Sequence, residues 1–457
     1  MTPARAGRIW LALIVGLLAL ATGLRFVALE TSPPGFYVDE AAIAAQVICV
    51  RQSGADLAGH RYPLFVPVLG GGFVTPGYLY AAVAWTAVFG DTIGAFRALA
   101  ALFGALTVAG VFCLARALWR DTVTAWLCAL CAAISPWGFA FSRIAWDSPL
   151  APCLLIWGLY CLLRGGRRRH LEGGLGGALV ALACYSYPPT RVQVALLVPL
   201  VLVWLWWSRR ESRPAVVAFA VGGGLVLLPL VALTVSGALQ GRAWGLLIWN
   251  RTYLRQFGGF SLPLVARLFA GNMAANLSPR FLFASGDANL RHSTQATGQW
   301  SWLEIAAVAA ALILLAGGRL ARSRAEARTL WVLAAGYLSG VIPAALAWEG
   351  NPHALRSIGA QPFLALIAGF TLARAIAVWP AVRLAIPLLA AAFAAWYFAD
   401  FFARYPGRAW GWFDGPVAQA AAPPGGRAAI AAVSKEYPEL AIRYYDLRDG
   451  RSTCATR

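Results

Sequence analysis

The stretch "TPGYLYAAVAWTAVFG", residues 75–90, is apolar enough to enter a membrane. After its Pro-Gly, however, it offers only about 14 residues where bilayer hydrocarbon asks for roughly 20. Whether it crosses decides on which side every later segment lies. The rest of the chain shows that a membrane is involved: of 457 residues, 60% are hydrophobic and 12% charged, and the mean hydropathy is +0.65, far from soluble averages. Apolar runs of spanning length recur near 9–29, 96–117, 122–140, 148–163, 172–188, 191–208, 215–235, 302–316, 329–348, 357–377 and 381–400. Their length fits helices rather than the roughly ten-residue strands of a membrane barrel.

The net charge of +19 would suit a nucleic-acid binder if it formed one basic face. Instead, arginine clusters punctuate the apolar runs: "RGGRRRH" at 164–170, "RRESR" at 209–213 and "RLARSR" at 319–324. That is the pattern of cytoplasmic loops under the positive-inside rule, and it argues against a nucleic-acid partner. If residues 75–90 crossed, these clusters would lie opposite the basic start of the chain. If they lie in the interface, Arg5, Arg8, Arg116, Arg120 and all three clusters share the cytoplasmic side. The expectation is therefore an all-α polytopic membrane protein with eleven transmembrane helices and one interfacial helix. The start, "MTPARAGR" before an apolar run, reads as an uncleaved anchor.

This parity puts 30–95, 142–148, 236–301, 349–357 and a polar tail, 401–457, outside. It divides the chain into a transmembrane unit, 1–400, and a small external appendage containing "APPGG" at 422–426. Six of the eight cysteines lie within apolar runs and read as small apolar residues. Cys49 and Cys454 both fall outside, but nothing in the sequence pairs them. Lys435 is the only lysine, so other basic contacts must come from arginine.

The external segments concentrate ionisable groups. "GFYVDEAAIAAQ", 35–46, carries Asp39 and Glu40; "SRIAWDS", 142–148, carries Arg143 and Asp147. "SPRFLFASGDANLRHS", 278–293, carries Asp287, Asn289, Arg291 and His292, and "EGNPHALRS", 349–357, carries Glu349, His353 and Arg356. Arg97 and Arg191 stand at outer ends of spans. Each has a plainer reading: acids capping a helix, an Asx turn at 287–289, a surface ion pair between Arg143 and Asp147, ordinary loop histidines. Together, charges at one membrane face suggest a polar site opening to that side. A carboxylate there suits general-base work on a hydroxyl, and arginine forks suit a phosphate leaving group.

The order of these features resembles the polyprenyl-phosphate-dependent glycosyltransferases of the GT-C fold, in particular the bacterial relatives of protein O-mannosyltransferases and the lipid A aminoarabinose transferases. The features are an anchor helix, an outer-face Asp-Glu pair, "TPGYLY", "SRIAWD" after the third span, and "FLFASGDANLRHS" in a later loop. The resemblance implies an inverting sugar transfer from a polyprenyl-phosphate carrier to a hydroxyl or phosphate group of an acceptor protein, glycolipid or wall polymer, on the outer side of the cytoplasmic membrane. It also implies Asp39 as catalytic base with Glu40 beside it. Arg143 and Asp147 would complete the site, with Asp287, Asn289, Arg291 and His292 in the later motif. Donor phosphate would be held by arginines among Arg97, Arg143, Arg191 and Arg356, because no lysine precedes Lys435. Oligosaccharyltransferases share the outline, but their acidic motif holds a divalent metal. An adjacent Asp-Glu without DxD spacing favours the metal-independent branch, so no cofactor is expected. A transporter or flippase of lipid-linked sugars is the competing reading, although no internal repeat supports it.

Overall fold

The structure is a computed structural model that describes residues 3–454 except 69–71, 167, 209, 240–241, 423–425 and 435–436. Lys435 and most of the "APPGG" stretch therefore lie outside the described residues. The helices are α1 (Pro3–Gly23), α2 (Val38–Ser53), α3 (Pro76–Phe89), α4 (Ile93–Trp119), α5 (Thr122–Ile134), α6 (Pro136–Phe141), α7 (Leu150–Leu163), α8 (Arg169–Ser186), α9 (Pro188–Ser208) and α10 (Arg213–Val235). They continue with α11 (Arg242–Gly245), α12 (Arg251–Arg255), α13 (Leu262–Asn276), α14 (Trp302–Ala316), α15 (Arg324–Ala345), α16 (Gln361–Val378) and α17 (Val382–Ala399). The tail adds α18 (Tyr405–Ala409), α19 (Gly415–Ala421), α20 (Arg427–Val433) and α21 (Pro438–Arg448). One antiparallel hairpin, β1 (Val66–Val68) with β2 (Gly72–Val74), pairs Val66 with Val74 and Val68 with Gly72.

A helix stands at each of the eleven expected spans. By length and composition, six segments of the described chain qualify as membrane-crossing: Gly7–Phe26, Ile93–Trp119, Pro188–Ser208, Arg210–Val235, Ile358–Val378 and Val382–Ala409. Three shorter apolar helices, α5, α7 and α14, join them. Their outward faces are apolar: Leu225, Leu228, Leu384 and Leu388 are exposed, as a lipid-facing surface requires. Side chains set several of the helix starts. Thr92 accepts the Ala95 N–H at the start of α4, Asp121 accepts the Thr124 N–H at the start of α5, and Ser301 with Glu304 forms a capping box on α14.

Helix α3 is the 75–90 stretch, and its 14 residues reach only about 21 Å. Three side-chain bonds hold it to the N-terminal end of α4 and the first loop. Tyr78 donates to Phe96 O (3.1 Å), Trp85 Nε1 to Ala95 O (2.9 Å) and Tyr80 to Pro63 O (2.9 Å).

Glycine governs the packing of α8 on α10. A Cβ on Gly177 would lie 2.0 Å from Phe219 O, and one on Gly222 would lie 2.4 Å from Gly174 O. The two backbones are in contact, the close approach that small residues permit between helices in lipid.

The tail is not a detached appendage. Cys454 forms a disulfide with Cys49 near the end of α2, 405 residues away. Tyr444 of α21 packs on Phe36 (4.7 Å between ring centroids) and donates to Asp91 O (3.0 Å). Tyr405 donates to Leu290 O (2.6 Å), and Arg408 bonds Asp400 and Thr294 O. The tail thus touches both the loop segment 30–95 and the later loop, 278–301.

Candidate active site

The Asp-Glu pair separates at the first turn of α2. Asp39 is exposed and Glu40 is fully buried. Glu40 Oε1 accepts from Arg97 Nε (2.9 Å) and from the Ala145 N–H (2.8 Å); Oε2 accepts from Arg97 Nη2 (2.8 Å) and the Tyr37 N–H (3.2 Å). Arg97, also buried, gives its remaining protons to Leu29 O, Pro33 O and Gly35 O. The expectations of a catalytic Glu40 and a phosphate-binding Arg97 therefore need correction: each is saturated by the other and by backbone. A buried charge persists only when so paired. The pair brings the first external loop, α4 and the 142–148 loop to one point.

Arg143 needs the same correction. Its guanidinium is buried and donates to the carbonyls of Leu24, Arg25, Val27, Ala28 and Ser32. The rings of Phe139, Phe401 and Phe402 stand 5.0–5.5 Å from it. It staples the segment that leads into the Asp-Glu loop, with no N–H left for a ligand. The Arg143–Asp147 surface pair does not form either. Asp147 instead accepts from the Thr75 hydroxyl (3.0 Å), which also lies 2.8 Å from Ser186 O.

What remains around Asp39 is a small polar set. Burial pushes the Asp147 carboxyl up to about 7; the Thr75 hydroxyl opposes this, nearby Asp39 adds to it, and Arg191 subtracts. Asp39 and Arg191 are thus each within electrostatic reach of Asp147. Arg191 donates through Nε to Cys184 O (3.1 Å) and lies 5.6 Å from the Phe65 ring centroid. Among the described residues its Nη groups have no hydrogen-bond partner, the opposite of Arg97 and Arg143. Thr75 was not singled out as a site residue, although it opens the quoted stretch. Gly77, two residues on, is required by space: a Cβ there would meet Ser186 Oγ at 2.3 Å. Trp146, also missed, is buried beside Tyr37 (6.1 Å), and its indole N–H has no partner among the described residues.

The later loop closes one side. The Asn289 N–H bonds Asp287 Oδ1 (2.9 Å), the Asx turn foreseen as the plain reading, and Asn289 Oδ1 accepts the Arg291 N–H (2.9 Å). Asp287 Oδ2 holds His292 Nδ1 (3.0 Å) and the Ala354 N–H (2.8 Å). His292 stacks near His353 (4.7 Å) and Trp146 (5.8 Å). Burial, with His292 and Arg356 adding, holds His353 well below the usual histidine range. Glu349 pairs with Arg356 (3.2 Å) at the edge of this knot. Arg291 lies over the Tyr37 ring (3.8 Å) and near Trp412 of the tail (5.5 Å). Among the described residues, Asp287, His292 and His353 form the group able to hold a metal ion, their ligand atoms lying within 4.8 Å of one another. The Asp287 oxygen and both Nδ1 atoms already have hydrogen-bond partners within the loops, which leaves the Nε2 atoms.

These residues are carried on a polytopic helical frame whose fold is that of the GT-C proteins. Solved structures share that frame. The archaeal oligosaccharyltransferase AglB of Archaeoglobus fulgidus, in complex with an inhibitory peptide and a dolichol-phosphate, aligns over 97% of this chain and 61% of its own (TM-score 0.51, 14% identity). ArnT from Cupriavidus metallidurans, bound to undecaprenyl phosphate, aligns over 96% and 78% (TM-score 0.50, 16% identity).

Sequence similarity narrows the class. Residues 74–235 match the dolichyl-phosphate-mannose-protein mannosyltransferase family. The undecaprenyl phosphate-alpha-4-amino-4-deoxy-L-arabinose arabinosyl transferase of Pseudomonas paraeruginosa is 30% identical over 280 residues, 55% of this chain and 47% of that protein. Its counterpart in Pseudomonas aeruginosa is 30% identical over 277 residues, with the same coverage. The chain thus resembles both transferase groups, and it spans about half the length of the curated relatives it matches.

Proposed function

We propose that the protein is an inverting glycosyltransferase that moves a sugar from a polyprenyl-phosphate carrier to an acceptor hydroxyl at the outer face of the cytoplasmic membrane. The observation that carries this reading is the solvent-exposed Asp39 at the first turn of α2, next to the buried Glu40–Arg97 pair that fixes that turn. Asp39 takes the proton of the acceptor hydroxyl as its oxygen attacks the anomeric carbon. The bond from that carbon to the carrier phosphate breaks, and the electron pair leaves on the phosphate. In-line attack inverts the centre. Arg191, whose Nη groups are uncommitted among the described residues, is the nearest fit to the leaving phosphate. A protonated Asp147 keeps a second negative charge away from it. The acceptor is a protein, glycolipid or wall-polymer hydroxyl, and the chemistry needs no metal.

The same proposal includes eleven crossings with α3 in the interface, a transferase unit over 1–400, and a tail, 401–457, on the outer side. An Arg168→Cys variant should then resist membrane-impermeant thiol reagents applied from outside; labelling there would overturn the topology. Transfer is tested with purified protein, radiolabelled polyprenyl-phosphate sugars and a cell-envelope extract, with and without chelator. Asp39→Asn should lower turnover about 10²- to 10⁴-fold while wild-type transfer survives chelation. Transfer indifferent to Asp39, or none with any carrier, would return the protein to the transport reading.

A further inference from the structure

Helix α2 starts after its N-cap, Tyr37, with a capping box in which the Glu40 carboxylate reaches back to the N-cap, since the first N–H groups of any helix need acceptors. Two carboxylates serve here, one from the helix itself and one from the tail. Glu40 takes the Tyr37 N–H, and Asp414 Oδ2, in the tail, takes the Val38 N–H at 2.9 Å. Val38 immediately precedes Asp39.

Independent contacts place the tail against the same turn. A Cβ on Gly35 would lie 2.3 Å from Phe413 O and 2.7 Å from Gly415 N, so the two backbones touch. Arg291 bridges Tyr37 and Trp412. At the far end of α2, Cys49 is bonded to Cys454. The tail therefore grips this helix at both ends, and through Tyr405 and Arg408 it also holds the loop that carries His292.

We infer that the C-terminal segment is a working part of the catalytic site, with Asp414 a positioning residue: by accepting the Val38 N–H it fixes the turn from which Asp39 reaches the acceptor. This rests on the transferase reading for its effect on turnover, but not for its effect on the helix. Asp414 also acts at a helix N-terminus, where a negative charge is favourable.

The test compares Asp414→Gly with Asp414→Asn in the full-length protein. Asp414 has φ +52°, which both glycine and asparagine tolerate; only asparagine keeps an acceptor oxygen. Hydrogen exchange over residues 36–46, kcat and KM for a polyprenyl-phosphate sugar, and thermal melting in detergent are read on each, with disulfide formation checked on a non-reducing gel. Asp414→Gly should exchange about five-fold faster at the head of α2. It should lose about ten- to a hundred-fold in kcat, the order of effect that misplacing a reacting group produces, with donor KM little changed and the disulfide intact. Asp414→Asn should recover most of both. Unchanged exchange in Asp414→Gly overturns the positioning role whatever the activity does. Faster exchange with wild-type kcat overturns the link to catalysis. If the wild type transfers no sugar at all, the transferase reading fails instead, and exchange alone still decides whether Asp414 fixes the turn.

Discussion

Removing Glu40 would reach three segments at once, because its carboxylate holds the Tyr37 N–H, Arg97 and the Ala145 N–H. Glu40→Ala leaves the Arg97 guanidinium buried without its counter-charge, an arrangement that costs about 3–5 kcal/mol when one partner is deleted. That variant should melt well below wild type in detergent, whereas Asp39→Asn should melt like wild type and fail only in transfer. Asp147 gives a pH signature. Its carboxyl ordinarily titrates at 3.8 and is held at about 7 in the fold. Between those values the unfolded chain has released a proton that the folded chain keeps. The stabilisation is therefore complete below 3.8 and is lost as pH rises through about 7. Melting followed across that window should decline more steeply in wild type than in Asp147→Asn; parallel curves would remove the basis for a protonated Asp147. The two acids at 39 and 40 stood out in the sequence as an adjacent pair, but the burial of one and the exposure of the other did not. That difference depends on α4, more than fifty residues on. The same holds for Arg97, Arg143 and Arg191: composition offers each as a cation, and only the count of satisfied N–H groups separates staple from candidate ligand.

Among the elements, a helix over the 75–90 stretch was readable from its apolar run after Pro-Gly, and its aromatic groups dock on α4 and the first loop. The α8–α10 contact was not read, although "EGGLGGALV" places glycines one helical turn apart on α8 and "VGGGLV" gives α10 three in succession, the small residues that allow close approach in lipid. Gly177→Leu would drive a side chain into Phe219 O. It should destabilise the protein by about 1–3 kcal/mol or more, the range of overpacked cores, seen as a lower melting temperature and a broadened elution profile in detergent. Gly224→Leu makes the matched control, since a Cβ there meets nothing within 4 Å; equal losses in both would mean that the α8–α10 backbone contact is not what holds these helices.

For the whole molecule, the tail is the element that sequence could not place. Cys49 and Cys454 were the two cysteines outside the apolar runs, yet 405 intervening residues carry no spacing rule that would join them. The structure joins them, and a bond of this kind persists in oxidising compartments. Closing so long a loop contributes on the order of 2–4 kcal/mol in the chain-entropy view. Reductant should therefore lower the melting temperature of wild type and leave a Cys49→Ser, Cys454→Ser double variant unmoved; equal sensitivity of both would show that the bond contributes nothing. There is also a consequence in time. A chain is made from its first residue onward, so α2, with Asp39 on it, is complete while some four hundred residues still follow. Its second clamp arrives only with residue 454. A chain cut short before that residue keeps a reduced thiol at Cys49, so labelling of that one thiol separates molecules whose tail has docked from those whose tail has not.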